Sequence, residues 1–412
     1  MSRIAKAVAA DPNRVIVFDT TLRDGEQAPG FSMTPDDKVR LAHVLADLKV
    51  DVIEAGFAAA SPGDEEGVRR VVGEVGRGAD GPVFCSLARA GEADIDAAWR
   101  ALRGTDERRV HIFLGSSPIH RSAKLRMTTD QVLEAADRAI RYARTRFDDV
   151  EFSPEDAIRT EPAFLAEICE AAAAAGASTL NIPDTVGYAT PTEIGEVFRT
   201  LITRVRARFP EVIFSTHCHD DLGLAVANSL SAVEAGARQV EGAVNGIGER
   251  AGNASIEEVI MAIRTRADRY GLHTNADTTQ LVRASRMLSE ITHVPTPRNK
   301  AIVGMNAFAH EAGIHQHGML ADSRTYEIMR PQDVGFDGAS FVLGKHSGRH
   351  AVAKRAEALG HVLSGDHLNA AFSGFKTRAD QIGEIDDREL LAIVEAARPA
   401  PRYEEPAYAA AG

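Results

Sequence analysis

The chain has 412 residues and a formal net charge of −12, with 44% hydrophobic and 26% charged residues. That balance is too apolar for a disordered chain, and its acidity speaks against non-specific nucleic-acid binding, which needs a basic face to release counterions. No stretch approaches the roughly 18 apolar residues of a membrane span, and the three cysteines, Cys85, Cys169 and Cys218, lack short paired spacings and read as reduced thiols of a cytoplasmic protein.

Residues 1–14 contain no apolar segment of signal-peptide length and are expected to be a frayed leader. From Val15 onward, short β-branched runs alternate with amphipathic, Ala-rich stretches, the pattern of βα units on a parallel sheet. The runs predict strands at Val15–Asp19, Val52–Phe57, Val83–Leu87, Val110–Leu114, Val150–Ser153, Leu180–Pro183, Val212–Thr216 and Gln239–Ala243. Helical periodicity fills the gaps, as in 36–48, 129–146, 161–175, 191–209 and 223–235, and a last barrel helix falls within 256–270. Eight such units in about 250 residues predict an α/β fold, a TIM (β/α)8 barrel over 15–275, with a doubly wound open sheet as the alternative. Helical 278–292 then leads into a Pro-, Gly- and His-rich stretch. We assign 276–347 to a linker and subdomain contributing to the active site, 348–397 to a small, mainly helical module and 398–412 to a disordered tail.

Barrel enzymes work at the C-terminal ends of their strands, and polar groups gather there in this sequence. The first strand runs into Thr20 to Gln27, the fifth carries Glu151, Ser153 and Glu155, and the sixth ends on Asp184 and Thr185. His217 and His219 sit at the end of the seventh, on one face by the two-residue period, and the eighth leads into Asn245 to Asn253. In a closed barrel the first, seventh and eighth strands are neighbours, so Asp24, His217, His219 and Asn253 can converge. One carboxylate, two imidazoles and an amide oxygen suit Mn2+, Mg2+, Co2+ or Zn2+ in an open, substrate-binding site. Taken singly, each has a plain alternative as a cap or a satisfied strand-end group. Arg23 is placed to stabilise a developing enolate or alkoxide, or to form an ordinary salt bridge. Thr185 could bind a carboxylate or cap a turn; His111, inside the fourth strand, is equivocal; Glu151 is the deeper, structural glutamate. The Gly246 to Gly252 loop is spaced G-x-G-x-x-x-G after the last strand, which is not a dinucleotide fingerprint. Farther on, His310, His315 and His317 stand beside Gly313 and Gly318, followed by Tyr326, as a second metal site, acid/base groups or a surface turn.

Three segments resemble the signatures of the DRE-TIM metallolyase superfamily with its HMGL-like catalytic domain, and within it most closely those of the 2-isopropylmalate synthase family: Thr21-Leu22-Arg23-Asp24-Gly25-Glu26-Gln27, Thr216-His217-Cys218-His219-Asp220-Asp221-Leu222-Gly223, and Val244 through Asn253. The likeness extends through Asn181 to Tyr188 and Gly313 to Gln316, to about Gly348. It implies a Claisen-type condensation of acetyl-CoA with 2-oxoisovalerate (3-methyl-2-oxobutanoate), then thioester hydrolysis to 2-isopropylmalate and CoA, the first step of leucine biosynthesis. By the same resemblance Asp24, His217, His219 and Asn253 hold a divalent metal, Mn2+ or Mg2+ before Zn2+ or Co2+. Arg23 stabilises the oxyanion, and His111, Ser153 and Thr185 contact the oxo acid. Glu155, His315 and Tyr326 move protons, the last two from the partner chain of a homodimer. Nucleic acid and membrane are not expected partners.

Two features depart from that pattern. The chain ends where a leucine-binding regulatory domain begins in many relatives, so either a naturally short form or a truncated chain is expected, and leucine feedback is not implied. His317 stands where many relatives have Asp. The competing readings are sibling enzymes using pyruvate or 2-oxoglutarate (citramalate or homocitrate synthase) or a methylthioalkylmalate-type chain elongator, a lyase of the hydroxymethylglutaryl-CoA type, and a non-catalytic sensor of metal and oxo acid.

Overall fold

The computed structural model describes residues 1–76, 81–337 and 340–398; residues 399–412, expected to be a tail, and the side chain of His317 lie outside the described residues. Two compact units divide the chain, Met1–Gly304 with Asp333–Gly335, and Met305–Gln332 with Phe336–Gly412.

Eight parallel strands build the first unit: β1 (Ile16–Asp19), β2 (Val52–Glu54), β3 (Val83–Arg89), β4 (Arg108–Gly115), β5 (Asp149–Glu155), β6 (Thr179–Asp184), β7 (Ile213–Cys218) and β8 (Gln239–Gly242). They pair in sequence order and close, β1 bonding to β2 through Phe18 and Asp19 and to β8 through Ile16 to Asp19. Closure rules out the open doubly wound sheet. The strands are nearly continuous buried runs because parallel strands are covered on both faces. Helices ring them: α1 (Arg3–Ala10) precedes β1, and α2 (Pro35–Asp47), α3 (Pro62–Val75), α4 (Glu92–Ala101), α5 (Thr129–Arg144), α6 (Pro162–Ala175), α7 (Pro191–Arg206) and α8 (Ala225–Glu234) connect the strands. Their starts are written locally. Proline opens α2, α3, α6 and α7, where its missing N–H is not needed, and Thr34 and Thr128 form capping boxes with Asp37 and Gln131.

The N-terminal residues differ from the expected frayed leader. Ser2 caps α1, whose Ile4 and Ala5 are buried against Ile16, Phe18, Val52, Val83, Cys85 and Ile213. The apolar face of this helix covers the floor of the barrel, and burying it holds the segment in place. The barrel unit also runs past residue 275. After α9 (Ile256–Thr265) and α10 (Ala267–Tyr270), α11 (Leu281–Thr292) buries Leu281, Val282, Ala284 and Leu288 and packs on α2.

Inside the lower half of the barrel, Arg109 is fully buried. Its Nη1 donates to Glu151 Oε2 (2.7 Å) and Gln239 Oε1 (2.8 Å), and its Nη2 to Asp149 Oδ2 (3.0 Å). Glu151 therefore belongs to a hydrogen-bonded network under the site. The second unit is mainly helical, with short strands β9 (Ala309–His310), β10 (Ser340–Phe341), β11 (Leu343–Gly344) and β12 (Glu384–Ile385) and helices α12 (Gly313–Ala321), α13 (Arg349–Ala358), α14 (Gly365–Ile382) and α15 (Asp387–Ala396). Its core gathers Leu343, Val352, Ala356, Phe375, Leu390 and Val394.

Candidate metal centre

At the C-terminal mouth of the barrel, ligand atoms of Asp24, His217 and His219 all lie within 4.8 Å of one another, and all three residues are buried. Asp24 lies in the turn after β1, His217 is in β7 and His219 just past its end, and a backbone bridge joins His219 to Asn253. Asn253 is held over the triad by its amide, which donates to Asp24 Oδ1 (3.1 Å) and to the Ile247 carbonyl (2.9 Å). Gly248 explains the glycine-rich loop. At φ +157 it passes so close that a Cβ would lie 2.2 Å from Asn253 Nδ2.

The donor set fits a cation. His217 Nε2 and His219 Nε2 face each other at 3.2 Å, a separation at which they can share at most one proton, and Asp24 Oδ2 lies 3.9 Å from His217 Nε2. The Asn253 carbonyl oxygen is buried without a hydrogen-bond partner among the described residues. Burial pushes both imidazoles down to about 4, so that each offers a lone pair at neutral pH. Burial alone would raise the Asp24 carboxyl, but the Arg23 guanidinium and the two imidazoles outweigh it and hold it well below the carboxylate range. His217 is oriented through Nδ1, 2.8 Å from Glu241 Oε2 of β8, the arrangement by which a carboxylate sets the tautomer of a ligating histidine.

Around this centre lies a cavity of about 310 Å3. It brings together Arg23, Asp24, His111, Ser153, Glu155, Thr185, His217 and His219, with Asn253 hydrogen-bonded behind Asp24. Arg23 touches Asp24 and donates through Nε to Glu54 Oε2 at 2.6 Å. Glu54 also accepts at Oε1 from His111 Nδ1 (2.9 Å), and His111 Nε2 meets Ser153 Oγ (2.6 Å), to which Asn181 Nδ2 donates (2.9 Å). Burial opposes charge on Glu54, yet Arg23 and His111 bring it down to about 2. Burial likewise opposes charge on His111, yet Glu241 and Glu54 lift it to about 9. Thr185 Oγ1 accepts from the Asp156 N–H at 2.9 Å, which leaves its own proton to donate. Phe57, Leu87, Phe113 and Pro183 form the apolar part of the wall.

His315 and Tyr326 belong to the second unit, where their rings lie 4.3 Å apart and both side chains are exposed. Sequence reasoning missed Glu54, Glu241 and Lys124. The first two had a signal: a glutamate inside a buried strand must find a partner, and both sit in short apolar runs. Lys124 had none, because the segment after the fourth strand shows no periodicity.

Residues 14–288 match the HMGL-like family, and residues 302–382 match the homocitrate synthase post-HMGL domain-like family. The chain is 53% identical over 398 residues to the 2-isopropylmalate synthase of Rhodopirellula baltica, covering 96% of this chain and 75% of that one. To the 2-isopropylmalate synthase of Aquifex aeolicus it is 55% identical over 382 residues, 92% of this chain and 72% of that one. Among solved structures, the HMG-CoA lyase from Brucella melitensis shares the barrel fold with a TM-score of 0.56 at 22% identity, over 68% of this chain and 99% of the lyase. The hydroxymethylglutaryl-CoA lyase from Pseudomonas aeruginosa does so at 0.57 and 22%, over 69% and 95%.

Proposed function

We infer the activity from kinship: this chain belongs to the 2-isopropylmalate synthase family, and its barrel to the HMGL-like family. It condenses acetyl-CoA with 3-methyl-2-oxobutanoate and hydrolyses the thioester to 2-isopropylmalate and CoA, the first step of leucine biosynthesis. The observation that carries the reading to these residues is the convergence of Asp24, His217 and His219 in a cavity at the barrel mouth.

On this reading Asp24, His217, His219 and Asn253 hold a divalent cation. Two oxygen and two nitrogen donors with open positions favour Mn2+ or Mg2+ over a closed tetrahedral Zn2+ site. When bound, the cation supplies Lewis-acid polarisation of the oxo acid's carbonyl. Arg23, fixed between Asp24 and Glu54, faces the oxygen on which charge develops. Thr185 donates its free hydroxyl proton to the oxo acid's carboxylate, and the His111–Ser153 pair orients the acid from the opposite wall. Glu155 takes a methyl proton from acetyl-CoA, and the apolar wall excludes water from the enolate. His315 and Tyr326 complete the proton transfers, supplied by the partner chain of a homodimer; their exposure in the second unit supports this assignment. Buried, unpaired thiols at Cys85, Cys169 and Cys218 agree with a cytoplasmic setting. No helix among the described residues is long and apolar enough to cross a membrane.

A thiol-release assay with a panel of 2-oxo acids tests the assignment. We expect release dependent on 3-methyl-2-oxobutanoate and abolished by EDTA. A much higher kcat/KM with pyruvate or 2-oxoglutarate would move the chain to a sibling activity, and release without any 2-oxo acid preference would remove the condensation.

A further inference from the structure

Between β4 and α5 the chain forms a π-helix, His120–Leu125, a rare geometry frequently found at functional sites. It can lie against the end of β4 because Gly115 has no side chain: a Cβ there would sit 2.8 Å from the His120 Cβ. Arg126, in the left-handed region at φ 55, closes the segment by donating to the Arg121 carbonyl, which also accepts from Met127 at 3.0 Å. The widened turn carries Lys124 over the Phe113 ring, 5.8 Å from its centroid, and into the cavity wall. Its Nζ lies 2.9 and 2.8 Å from the two oxygens of Glu155. On the other side stands His120, its Nε2 3.8 Å from Glu155 Oε1 and its Nδ1 held by Asp156 (3.0 Å) and Ser117 (2.9 Å).

An ion pair in which one side chain is 51% and the other 20% exposed contributes little to stability. Its geometry does more. Glu155 ends β5 at the rim of the cavity, where its rotatable bonds would otherwise let the carboxylate turn to solvent. We propose that Lys124 is a positioning residue of the condensation, gripping both oxygens of Glu155 so that the carboxylate stays aimed along the cavity wall until acetyl-CoA presents its methyl group. The proposal rests on the reading of Glu155 as the base. The step it serves moves one proton from the acetyl methyl to a Glu155 oxygen, the electron pair of the broken C–H bond remaining on the thioester enolate.

Thiol release measured for Lys124→Met, Lys124→Arg, Glu155→Gln and the Lys124→Met/Glu155→Gln double variant tests it. Lys124→Met should lower kcat about 30-fold, less than the roughly 100- to 10,000-fold contribution of a general base itself, with KM for the oxo acid and the bound metal unchanged. Lys124→Arg should recover to within about threefold of the parent, since its fork also grips a carboxylate, and the double variant should be no slower than Glu155→Gln. A kcat within about twofold of the parent for Lys124→Met, beside a slow Glu155→Gln, overturns the proposal and leaves Glu155 in place; so do losses that multiply in the double variant. Full activity in Glu155→Gln overturns the reading of Glu155 itself, and the proposal with it.

Discussion

In the lower half of the barrel, Arg109 spends both terminal nitrogens on Asp149, Glu151 and Gln239, and Gln239 returns hydrogen bonds to Glu151 (2.7 Å) and Ser215 (2.9 Å). In the upper half, Asp24, His217, His219 and Asn253 crowd together with lone pairs that face one another and an amide oxygen that has no hydrogen-bond partner among the described residues. Both layers are buried and charged, the lower built from strand residues and the upper from His217 of β7 and the loops that follow β1, β7 and β8. They differ in closure: the lower network supplies a donor for its acceptors, while the upper leaves acceptors without donors among the described residues, which supports the cation proposed there. Buried charge alone therefore does not mark a functional site. An excess of ligand atoms over protons at an open cavity does.

The largest expected effect breaks the upper layer. His219→Ala should lose the bound metal and lower kcat by about 1000-fold or more, with helical content intact, because one cation loses one of few ligands and the reaction loses its Lewis acid. Metal content by mass spectrometry beside thiol release decides it, and full activity would take the histidine pair out of the mechanism. Arg109→Leu addresses the other layer. Stranding Asp149 and Glu151 should cost about 3–5 kcal/mol of folding stability in urea denaturation, while the fraction that remains folded keeps its metal. Metal loss from folded Arg109→Leu would mean that the two layers are one system.

A smaller effect lies at their junction. Glu241→Gln weakens the carboxylate that orients His217, so metal affinity should fall about 10- to 100-fold with little change in stability. Competition with a chelator measures it, and an unchanged affinity would confine the site to the side chains that touch the cation. The most gradual concerns Glu151, pushed by burial, against the pull of Arg109, from 4.5 up to about 8. Between these values the folded chain holds the extra proton, so this contribution is complete below 4.5 and is lost as pH rises through 8. Its slope is at most about 1.4 kcal/mol per pH unit. Glu151→Gln should flatten that slope in urea midpoints taken across the interval, and an undiminished slope would assign it to another group.

Much of this was legible from the linear chain. β-branched runs alternating with helical periodicity specify βα units, because a strand buried on both faces and a helix buried on one leave different hydrophobic periods. Eight units, with polar residues after most strands, place a mouth. Asp24, His217, His219 and Asn253 stood out only together, because a closed barrel makes the first, seventh and eighth strands neighbours; singly each could be a cap or a satisfied strand-end group. Local patterning reached no further, for particular reasons. α1 looked like a leader because eight residues with two buried side chains are too short for a strong periodic signal; only the open floor of the barrel gives Ile4 something to cover. Glu54, Glu241 and Lys124 acquire their roles from partners 57, 24 and 31 positions away, His111, His217 and Glu155. The sequence by itself determined which elements form and which residues end the strands, since propensity, capping and hydrophobic period act over a few neighbouring residues. Tertiary structure decided which buried charges close on one another and which are left open, because that depends on barrel closure, which sets residues more than two hundred positions apart within hydrogen-bonding distance, as Asp24 and Asn253 are.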